Sequence, residues 1–372
     1  MMDDYRTAFL DWLACAARGR REPAARAAAA LGDPVLAAAT AGHVLDFDDT
    51  YLPGVAHLSA PTAPAALVLG AGLGRSAREV LDAYRAGFEA MGALARASHP
   101  ALYDGHFHPT AVCGGTGAAV VAARLLGLDR EERDSAAAIA LLNASGLRAA
   151  FGSDGKALQV GFAAAGGVHA ARLAAAGARV PLGKAADGFG RATGGRFAEP
   201  EPARAAIGRN WIKAWPCCLQ THGAIEAAGR ARDGPNPPAA VAVHPLSLQA
   251  ASFGPRPEDG LQAKFSIAYL TAFTLLHGPP TLESFEGVDR EACELAATIQ
   301  VRADSGLGES EALLLDASGE EVARVEAALG SPERPLDTQG LEAKLAGLAH
   351  PELAHALDDP DRPASELLAY ID

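Results

Sequence analysis

The stretch Ala111-Val-Cys-Gly-Gly-Thr-Gly-Ala-Ala-Val-Val-Ala-Ala-Arg-Leu-Leu126 consists almost entirely of alanine, glycine and other apolar residues. Residues 130–147 and 161–176 are also rich in alanine and glycine. Each segment predicts a helix, because alanine has the highest helix propensity and the runs are too long for typical strands. Small side chains also let neighbouring helices approach closely. We therefore expect these three segments to form the core of an all-helical domain.

The helical pattern continues toward the N-terminus. A helix pair is predicted over residues 5–31, and further helices over residues 34–44, 60–73 and 76–97. Ser76 followed by Glu79 predicts a capping box at the start of the last of these. The acidic, turn-rich residues 46–54 and the segment 99–110 predict loops. The all-helical domain is expected to span residues 1–232.

The composition changes after residue 232. Asp233-Gly-Pro-Asn-Pro-Pro238 predicts a linker, and the alternation that begins at Val241 predicts a strand. Residues 297–303 and 311–326 predict further strands, the latter a hairpin turning at Ser318-Gly319, while residues 262–276 predict a helix. The predicted fold class is mainly α with a second, smaller α+β domain that contains an antiparallel sheet. That domain is expected to span residues 235–338, and residues 340–372 are expected to return to the helical domain.

Charge and cysteine content exclude several classes of protein. The net charge of −13 argues against nucleic-acid binding, which needs a basic face. The five cysteines form no paired framework, residues 1–5 lack the basic start of a secretory signal, and no apolar run is long enough to span a membrane. A cytoplasmic protein without a membrane span is therefore predicted. An acidic protein that binds a carboxylate also needs a local cationic pocket.

Two lysines are the first candidates for that pocket. The chain has five lysines and 27 arginines, so its composition favours arginine wherever any cation suffices. Lys156 follows Gly152-Ser-Asp-Gly155, and Lys213 lies within the aromatic segment Asn210-Trp-Ile-Lys-Ala-Trp215. A lysine can bind a carboxylate or, when its pKa is lowered by burial, carry a proton. The alternative is that both are ordinary surface residues.

Histidines in or just after the two predicted loops are candidate proton carriers. His57 follows Asp46 by eleven residues, and that carboxylate could orient the imidazole. His106 and His108 precede a predicted helix whose N-terminal N–H groups could bind an anion. Each histidine could equally be a structural residue.

Other chemistries are less well supported. Two clusters could bind a metal, but neither has a recognised ligand spacing, so no metal and no organic cofactor is predicted. These clusters are Asp46, Asp48 and Asp49 with His57, and Asp104 with His106 and His108. Phosphate-loop, dinucleotide-binding and hydrolase-elbow motifs are incomplete. A thiol nucleophile at Cys217 or Cys218 is left as an alternative.

Five motifs within residues 7–345 resemble, in the same order, those of the MmgE/PrpD family. They are Ala41-Gly-His-Val-Leu-Asp-Phe-Asp-Asp-Thr50 with His57-Leu-Ser-Ala-Pro61, Gly105-His-Phe-His-Pro-Thr110, Gly155-Lys-Ala-Leu-Gln-Val-Gly161, Ile212-Lys-Ala-Trp-Pro-Cys-Cys218, and Ala263-Lys-Phe-Ser-Ile-Ala-Tyr269. The family includes 2-methylcitrate dehydratase, cis-aconitate decarboxylase and iminodisuccinate epimerase.

The resemblance implies one cleft between the helical domain and a lid formed by the α+β domain, in a homodimer. The catalytic residues that it implies are Asp46, His57, His108, Lys156, Lys213 and Tyr269, and we assign Thr50, His106 and Cys218 to substrate binding. The chain departs from the family pattern at two positions. Cys218 stands where the decarboxylases carry a histidine, and Gln159 replaces a histidine of the Lys156 segment.

The resulting hypothesis is a cofactor-independent lyase that dehydrates a small di- or tricarboxylic acid by general acid/base proton transfer, similar to 2-methylcitrate dehydratase. Epimerisation, decarboxylation of a related acid, and ligand binding without catalysis are the alternatives. The expected partner is a small anionic carboxylate, and neither nucleic acid nor a membrane is expected to bind.

Overall fold

The computed structural model describes residues 4–349 and 351–371. Residues 1–3, 350 and 372 lie outside the described residues. They belong to the predicted domain ranges, and residues 1–3 also belong to the segment 1–5 on which the prediction about a secretory signal is based. The predicted class is confirmed: the chain is mainly α-helical, with a smaller α+β part. Among the described helices, none is both long enough and apolar enough to cross a bilayer.

Helices make up most of the chain before residue 232. In order they are α1 Asp4–Gly19, α2 Pro23–Ala29, α3 Pro34–His43, α4 Ser59–Gly72, α5 Ala77–Ser98, α6 Ala101–Asp104, α7 Pro109–Leu125, α8 Arg130–Leu142, α9 Gly155–Ala175, α10 Leu182–Thr193 and α11 His222–Ala231. The predicted capping box at Ser76 and Glu79 is present at the start of α5.

Helix α7, the segment quoted first, packs against α4, α5, α8 and α9. Glycines allow this contact to form between backbones: a Cβ atom on Gly167 of α9 would lie 2.3 Å from the carbonyl oxygen of Gly115 in α7. On the other side, a Cβ atom on Gly87 of α5 would lie 2.5 Å from the carbonyl oxygen of Gly117. The expected helical core is therefore built around α7.

Shorter helices follow residue 232, and the described chain also contains two small sheets. The helices are α12 Pro245–Ala250, α13 Gly260–Ala263, α14 Ile267–His277, α15 Arg290–Ala296, α16 Thr338–Leu348 and α17 Ala364–Leu368. The strands are β1 Thr50–Tyr51, β2 Asn210–Trp211, β3 Ala240–Val243, β4 Gln300–Ala303, β5 Ala312–Leu315 and β6 Glu321–Val325. Strands β1 and β2 form an antiparallel ribbon, and the other four form a sheet in the order β4-β3-β5-β6.

This four-stranded sheet is mixed, whereas an antiparallel sheet was expected. The β3–β5 and β5–β6 pairs are antiparallel, and the predicted hairpin lies between β5 and β6. The β3–β4 pair is parallel, because the chain between the two strands forms helices that return it to the end of the sheet at which β3 begins. The predicted helix over residues 262–276 is interrupted before Ser266, whose hydroxyl caps α14 by accepting a hydrogen bond from the Tyr269 N–H.

Two helix boundaries differ from expectation in a way that affects the site. The helix that begins at residue 130 ends at Leu142 rather than at residue 147, and α9 begins at Gly155 rather than at residue 161. Lys156 therefore lies in the first turn of a helix and not in a loop.

The C-terminal residues contact the helical core. Lys344 of α16 forms a buried ion pair with Asp11 of α1 and donates a hydrogen bond to the carbonyl oxygen of Phe47 at 2.9 Å. Leu345 and Leu367 belong to the same buried cluster as the residues of α1. These contacts agree with a return of the chain to the helical part, although the domain boundaries themselves stay a prediction.

Replacement of Gly167 by alanine should lower the free energy of unfolding by about 1 to 3 kcal/mol, because the new methyl group would overlap the backbone of α7. Gly188 of α10 has nothing within 4 Å of the position that a Cβ atom would occupy. Gly188→Ala is the matched control and should stabilise the protein by about 0.5 to 1 kcal/mol through helix propensity. Urea unfolding of both variants measures the difference. Equal unfolding midpoints would contradict the close α7–α9 contact.

Candidate active site

Asp46 lies just beyond the C-terminal end of α3. Its N–H donates to the carbonyl oxygen of His43 at 3.0 Å, and its φ of 53° is in the left-handed region, which aspartate tolerates better than most residues. The carbonyl oxygens of Leu45 and Asp46 accept hydrogen bonds from Lys264 at 2.6 Å and Lys213 at 2.9 Å. Ammonium groups are favourable here, since the end of a helix carries partial negative charge.

The Asp46 carboxylate is shared by two lysines from distant segments. Its Oδ1 atom lies 3.0 Å from Lys156 Nζ and 2.8 Å from Lys213 Nζ, and all three side chains are buried. Burial alone would raise the pKa of Asp46, but the two ammonium groups outweigh it and hold that pKa well below its usual range. Burial likewise disfavours the charged form of Lys213, yet Asp46 raises the pKa of this lysine. Asp46 and Lys213 are therefore both ionised at neutral pH.

The β1–β2 ribbon brings Lys213 to this point. Thr50 pairs with Trp211, and Ile212 donates a backbone hydrogen bond to Gly330 at 3.1 Å. Gly330 has a φ of 93°, and a Cβ atom there would lie 2.1 Å from the carbonyl oxygen of Ile212, so the approach requires glycine. The pairing of β2 with β1 and the backbone hydrogen bond to Gly330 together place Lys213 directly behind Asp46.

Three imidazoles lie next to the ion cluster, and two of them share Asp48. The Asp48 Oδ2 atom is 2.9 Å from His43 Nδ1 and 3.1 Å from His57 Nδ1, while His57 Nε2 is 3.6 Å from Asp46 Oδ1. Burial, with a further contribution from Lys156 and Lys213, lowers the pKa of His57 to about 3 despite the neighbouring Asp48. His57 is therefore a neutral imidazole at physiological pH.

The third imidazole, His108, is held by Gln159. Gln159 Oε1 accepts the Leu147 N–H at 2.9 Å, which fixes the orientation of the amide, and Gln159 Nε2 lies 2.8 Å from His108 Nδ1. Burial, followed by the charge of Lys156, lowers the pKa of His108 well below its usual range. The amide nitrogen can only donate, so His108 Nδ1 accepts and the ring proton belongs on Nε2.

These groups surround a cavity of about 30 Å³, which has room for about one water molecule. Its lining includes Thr50, Tyr103, Phe151, Cys218 and Phe265. The hydroxyl oxygens of Thr50 and Tyr103 and the Oδ2 atom of Asp46 are buried without a hydrogen-bond partner in the described part of the chain. Because buried polar atoms normally have partners, these three point to a polar ligand.

Two family models match the chain, that of the MmgE/PrpD N-terminal domain over residues 32–197 and that of the MmgE/PrpD C-terminal domain over residues 215–364. The chain belongs to the MmgE/PrpD family. The resemblance noted in the five sequence motifs is thereby confirmed.

Cis-aconitate decarboxylases are among the relatives of this MmgE/PrpD chain. The Mus musculus protein is 29% identical over 277 residues, which cover 65% of this chain and 54% of the relative. The Homo sapiens protein is 35% identical over 137 residues, which cover 36% of this chain and 28% of the relative. The Aspergillus terreus protein is 28% identical over 240 residues, which cover 57% of this chain and 49% of the relative. The chain thus spans about half the length of the mouse and Aspergillus relatives, and less of the human one.

Most of the candidate residues of this MmgE/PrpD chain meet at the cavity. Asp46, Thr50, His57, His108, Lys156 and Cys218 line it, and Lys213 lies behind Asp46. The two others lie elsewhere. His106 is exposed with a φ of 62°, and the buried Tyr269 belongs to a separate apolar cluster, where its hydroxyl accepts the Asp289 N–H at 2.9 Å.

Four polar residues at the site were not among the candidate catalytic or substrate-binding residues. His43 and Asp48 fall inside the motif at residues 41–50, where their spacing of five residues across the helix end gave no sign of contact. Gln159 was noted only as a departure from the family pattern. Lys264 could have been found from the rarity of lysine, the same signal that singled out Lys156.

Neither cysteine of the Cys217-Cys218 pair has the properties of a nucleophile. Burial raises the pKa of Cys217 to about 12 and that of Cys218 to about 11. Both thiols are thus protonated at neutral pH, whereas nucleophilic attack requires the thiolate. Cys218 instead donates its thiol hydrogen to Gln220 Oε1 at 3.2 Å.

The metal alternatives can be compared with the side-chain positions. Within residues 4–349 and 351–371, the one group of three potential ligands that converge is His43, Asp48 and His57. Asp48 and His57 belong to the first metal cluster considered from the sequence, that of residues 46–57. No member of the group belongs to the second, that of residues 104–108. Both imidazoles already lie at hydrogen-bonding distance from Asp48.

Buried histidines should make the stability of the protein sensitive to acid. Burial lowers the pKa of the fully buried His222, at the start of α11, to about 3. Between that value and the ordinary value near 6.5 the unfolded chain binds more protons, so stability is lost as pH falls below about 6.5. His222→Leu should gain about 2 kcal/mol relative to the unchanged protein between pH 7 and pH 5.

Urea unfolding at the two pH values measures this gain. His355→Gln, at an exposed histidine, is the control and should leave the pH dependence nearly unchanged. A pH dependence that is the same in His222→Leu and in the unchanged protein would show that His222 is not held neutral.

Proposed function

We propose that this chain is a lyase that removes water across a Cα–Cβ bond of a small di- or tricarboxylic acid after abstracting a proton beside a carboxylate. The main support is the convergence of Lys156, His57 and His108 around Asp46 in one small cavity. Such acids are anionic, and the site offers ammonium groups in an otherwise acidic protein. The names of the relatives support a tricarboxylate as the substrate class.

Lys156 is suited to hold the carboxylate beside the reacting carbon. Its ammonium group reaches the cavity from the first turn of α9, where helix N–H groups also favour an anion. Loss of the adjacent proton places charge on that carboxylate, and preorganised cations stabilise such charge most where water is excluded. Lys213 contributes from behind Asp46, which it fixes in place.

We infer different roles for the two imidazoles from their neighbours. Asp48 Oδ2 lies 3.1 Å from His57 Nδ1, so we place the ring proton on that nitrogen and propose Nε2 as the general base. His108 has the opposite tautomer, because Gln159 donates to its Nδ1 atom, and its Nε2–H can protonate the departing hydroxyl group. One base and one acid are what an elimination of water requires.

Decarboxylation is the second candidate, because the relatives named above are cis-aconitate decarboxylases. That reaction needs the same cationic stabilisation and then one proton donor, a role that His108 could fill. Against it stands Cys218, at the position where the family's decarboxylases carry a histidine. A panel of citrate, methylcitrate and aconitate, incubated in D₂O, distinguishes the two reactions by product mass and by the position of the incorporated deuterium.

Lys156→Met should lower kcat/KM by about 10²- to 10³-fold, because it removes a cation aimed at the developing charge. Lys184→Met changes an exposed lysine of α10 and is the matched control, which should retain full activity. Turnover and deuterium incorporation over the panel are the measurements. Full turnover in Lys156→Met would refute the assignment, binding without turnover in the unchanged protein would indicate a binding paralogue, and loss of activity on thorough chelation would indicate a metalloenzyme.

We also propose that the enzyme is a homodimer, as the family resemblance implies. Phe162 and Leu173 are 58% and 52% exposed on one face of α9, with Gly166 and His169 exposed between them. Large apolar side chains at helical spacing on an exposed face favour burial against a partner. Because α9 also carries Lys156, a dimer contact on this face would help to hold the helix, and with it Lys156, in position.

Phe162→Asp combined with Leu173→Asp should convert the dimer to a monomer, because charges would be buried in the interface. Light scattering coupled to size exclusion should then give 38.0 kDa instead of twice that mass. Leu73→Asp, at an exposed leucine after α4, is the control and should leave the mass unchanged. A dimer that persists in the double variant would exclude this face of α9.

A further inference from the structure

More positive than negative charge lies around the carbonyl oxygens of Leu45 and Asp46 and the Asp46 carboxylate. Three ammonium groups bind there: Lys264 at the Leu45 carbonyl, Lys213 at the Asp46 carbonyl and carboxylate, and Lys156 at that carboxylate. Asp46 is the single carboxylate with which the described residues pair these lysines. Lys264 is only 6% exposed, and its ammonium group donates to a neutral carbonyl oxygen. Buried ammonium groups normally have an anionic partner.

Lys264 lines a second cavity, of about 20 Å³, on the other side of Asp46 and Lys156. The wall opposite is the N-terminal end of α9 with its preceding turn, residues 152–157, and His43 completes the lining together with Val44, Leu261 and Phe265. The N-terminus of a 21-residue helix carries partial positive charge and free N–H groups. Asp154, which is exposed, also lines this cavity.

We propose that this second cavity is a subsite for a further carboxylate of the substrate, with Lys264 as its recognition residue, so that the enzyme selects tricarboxylic over dicarboxylic acids. This inference rests on the proposed function, because it places the reacting carbon in the first cavity. One carboxylate binds Lys156 beside His57, and a distal carboxylate reaches Lys264 and the α9 N-terminus. The added negative charge offsets the excess of ammonium groups.

Phe265 provides the connection between the two cavities. It lines both of them, as do Asp46 and Lys156, and its ring stacks on Phe151 with centroids 5.6 Å apart. In the proposal, movement of the Phe265 ring joins the two spaces into one crevice. Lys264 is the adjacent residue, at the interruption between α13 and α14, so its position is coupled to that of the ring.

The protonation of Lys264 agrees with this role. Burial lowers its pKa to about 8, although Asp46 acts in the opposite direction. The ammonium form is thus retained at neutral pH but is stabilised less than that of an ordinary lysine. A bound carboxylate supplies the missing counter-charge.

The test compares the binding of propane-1,2,3-tricarboxylate and glutarate by titration calorimetry, neither of which requires turnover. The unchanged protein should bind the tricarboxylate about 10- to 100-fold more tightly, the effect of one buried charge-assisted contact. Lys264→Met should lose that preference, Lys264→Arg should retain most of it, and the control Lys184→Met should match the unchanged protein. A preference that survives in Lys264→Met, or its absence from the unchanged protein, overturns the subsite.

A crystal structure of the unchanged protein with propane-1,2,3-tricarboxylate tests the subsite even if the Lys264 variants do not fold. A carboxylate within hydrogen-bonding distance of Lys264 Nζ is expected, and a bound acid with no carboxylate there overturns the proposal. The two proposals can fail separately. Lys264-dependent selectivity without deuterium exchange or turnover would refute the lyase and retain the subsite, whereas turnover without selectivity would do the reverse.

Discussion

The sharing of one buried carboxylate by two buried ammonium groups is the constraint on which the site depends. Removing these charges from water costs several kcal/mol per ion, and the cost is offset only if the ions meet at short distance. Lys156 and Lys213 lie within 3.0 Å of Asp46 Oδ1. The end of α3, the start of α9 and strand β2 must therefore occupy fixed positions, and the close glycine contacts of α7 with α9 hold one of those positions from behind.

The same ammonium groups connect charge stabilisation with proton transfer. They disfavour a third positive charge nearby, so together with burial they keep His57 in its neutral form. A neutral imidazole is the form that can accept a proton, and the cations that keep it neutral are those that would stabilise the product of its action. In a low-dielectric site both effects are larger than in water. In the proposed lyase, the cations thus keep the base in the form that can accept a proton.

Features that depend on neighbouring residues in the sequence could be predicted. Contacts between distant residues and the relative orientation of strands could not. The capping box at Ser76, the hairpin between β5 and β6, and the Ala- and Gly-rich helices follow from short-range patterns. The rarity of lysine identified Lys156 and Lys213, but not that Lys213 would point at Asp46 from behind. Sequence spacing could not reveal that Tyr269 faces Asp289, that the β3–β4 pair is parallel, or that His43 reaches Asp48 after the turn at the end of α3.

The two departures from the family pattern reduce the number of groups that can move a proton. Gln159 cannot titrate, yet it fixes the tautomer of His108 through the hydrogen bond to Nδ1. Cys218, with a pKa raised to about 11 by burial, neither gives nor takes a proton readily at neutral pH. In the proposed mechanism, His57 is the acceptor and His108 is the donor. An epimerase needs two carriers that can exchange roles at one carbon, whereas an elimination needs one acceptor and one donor at adjacent atoms, so this division of roles is consistent with the proposed loss of water.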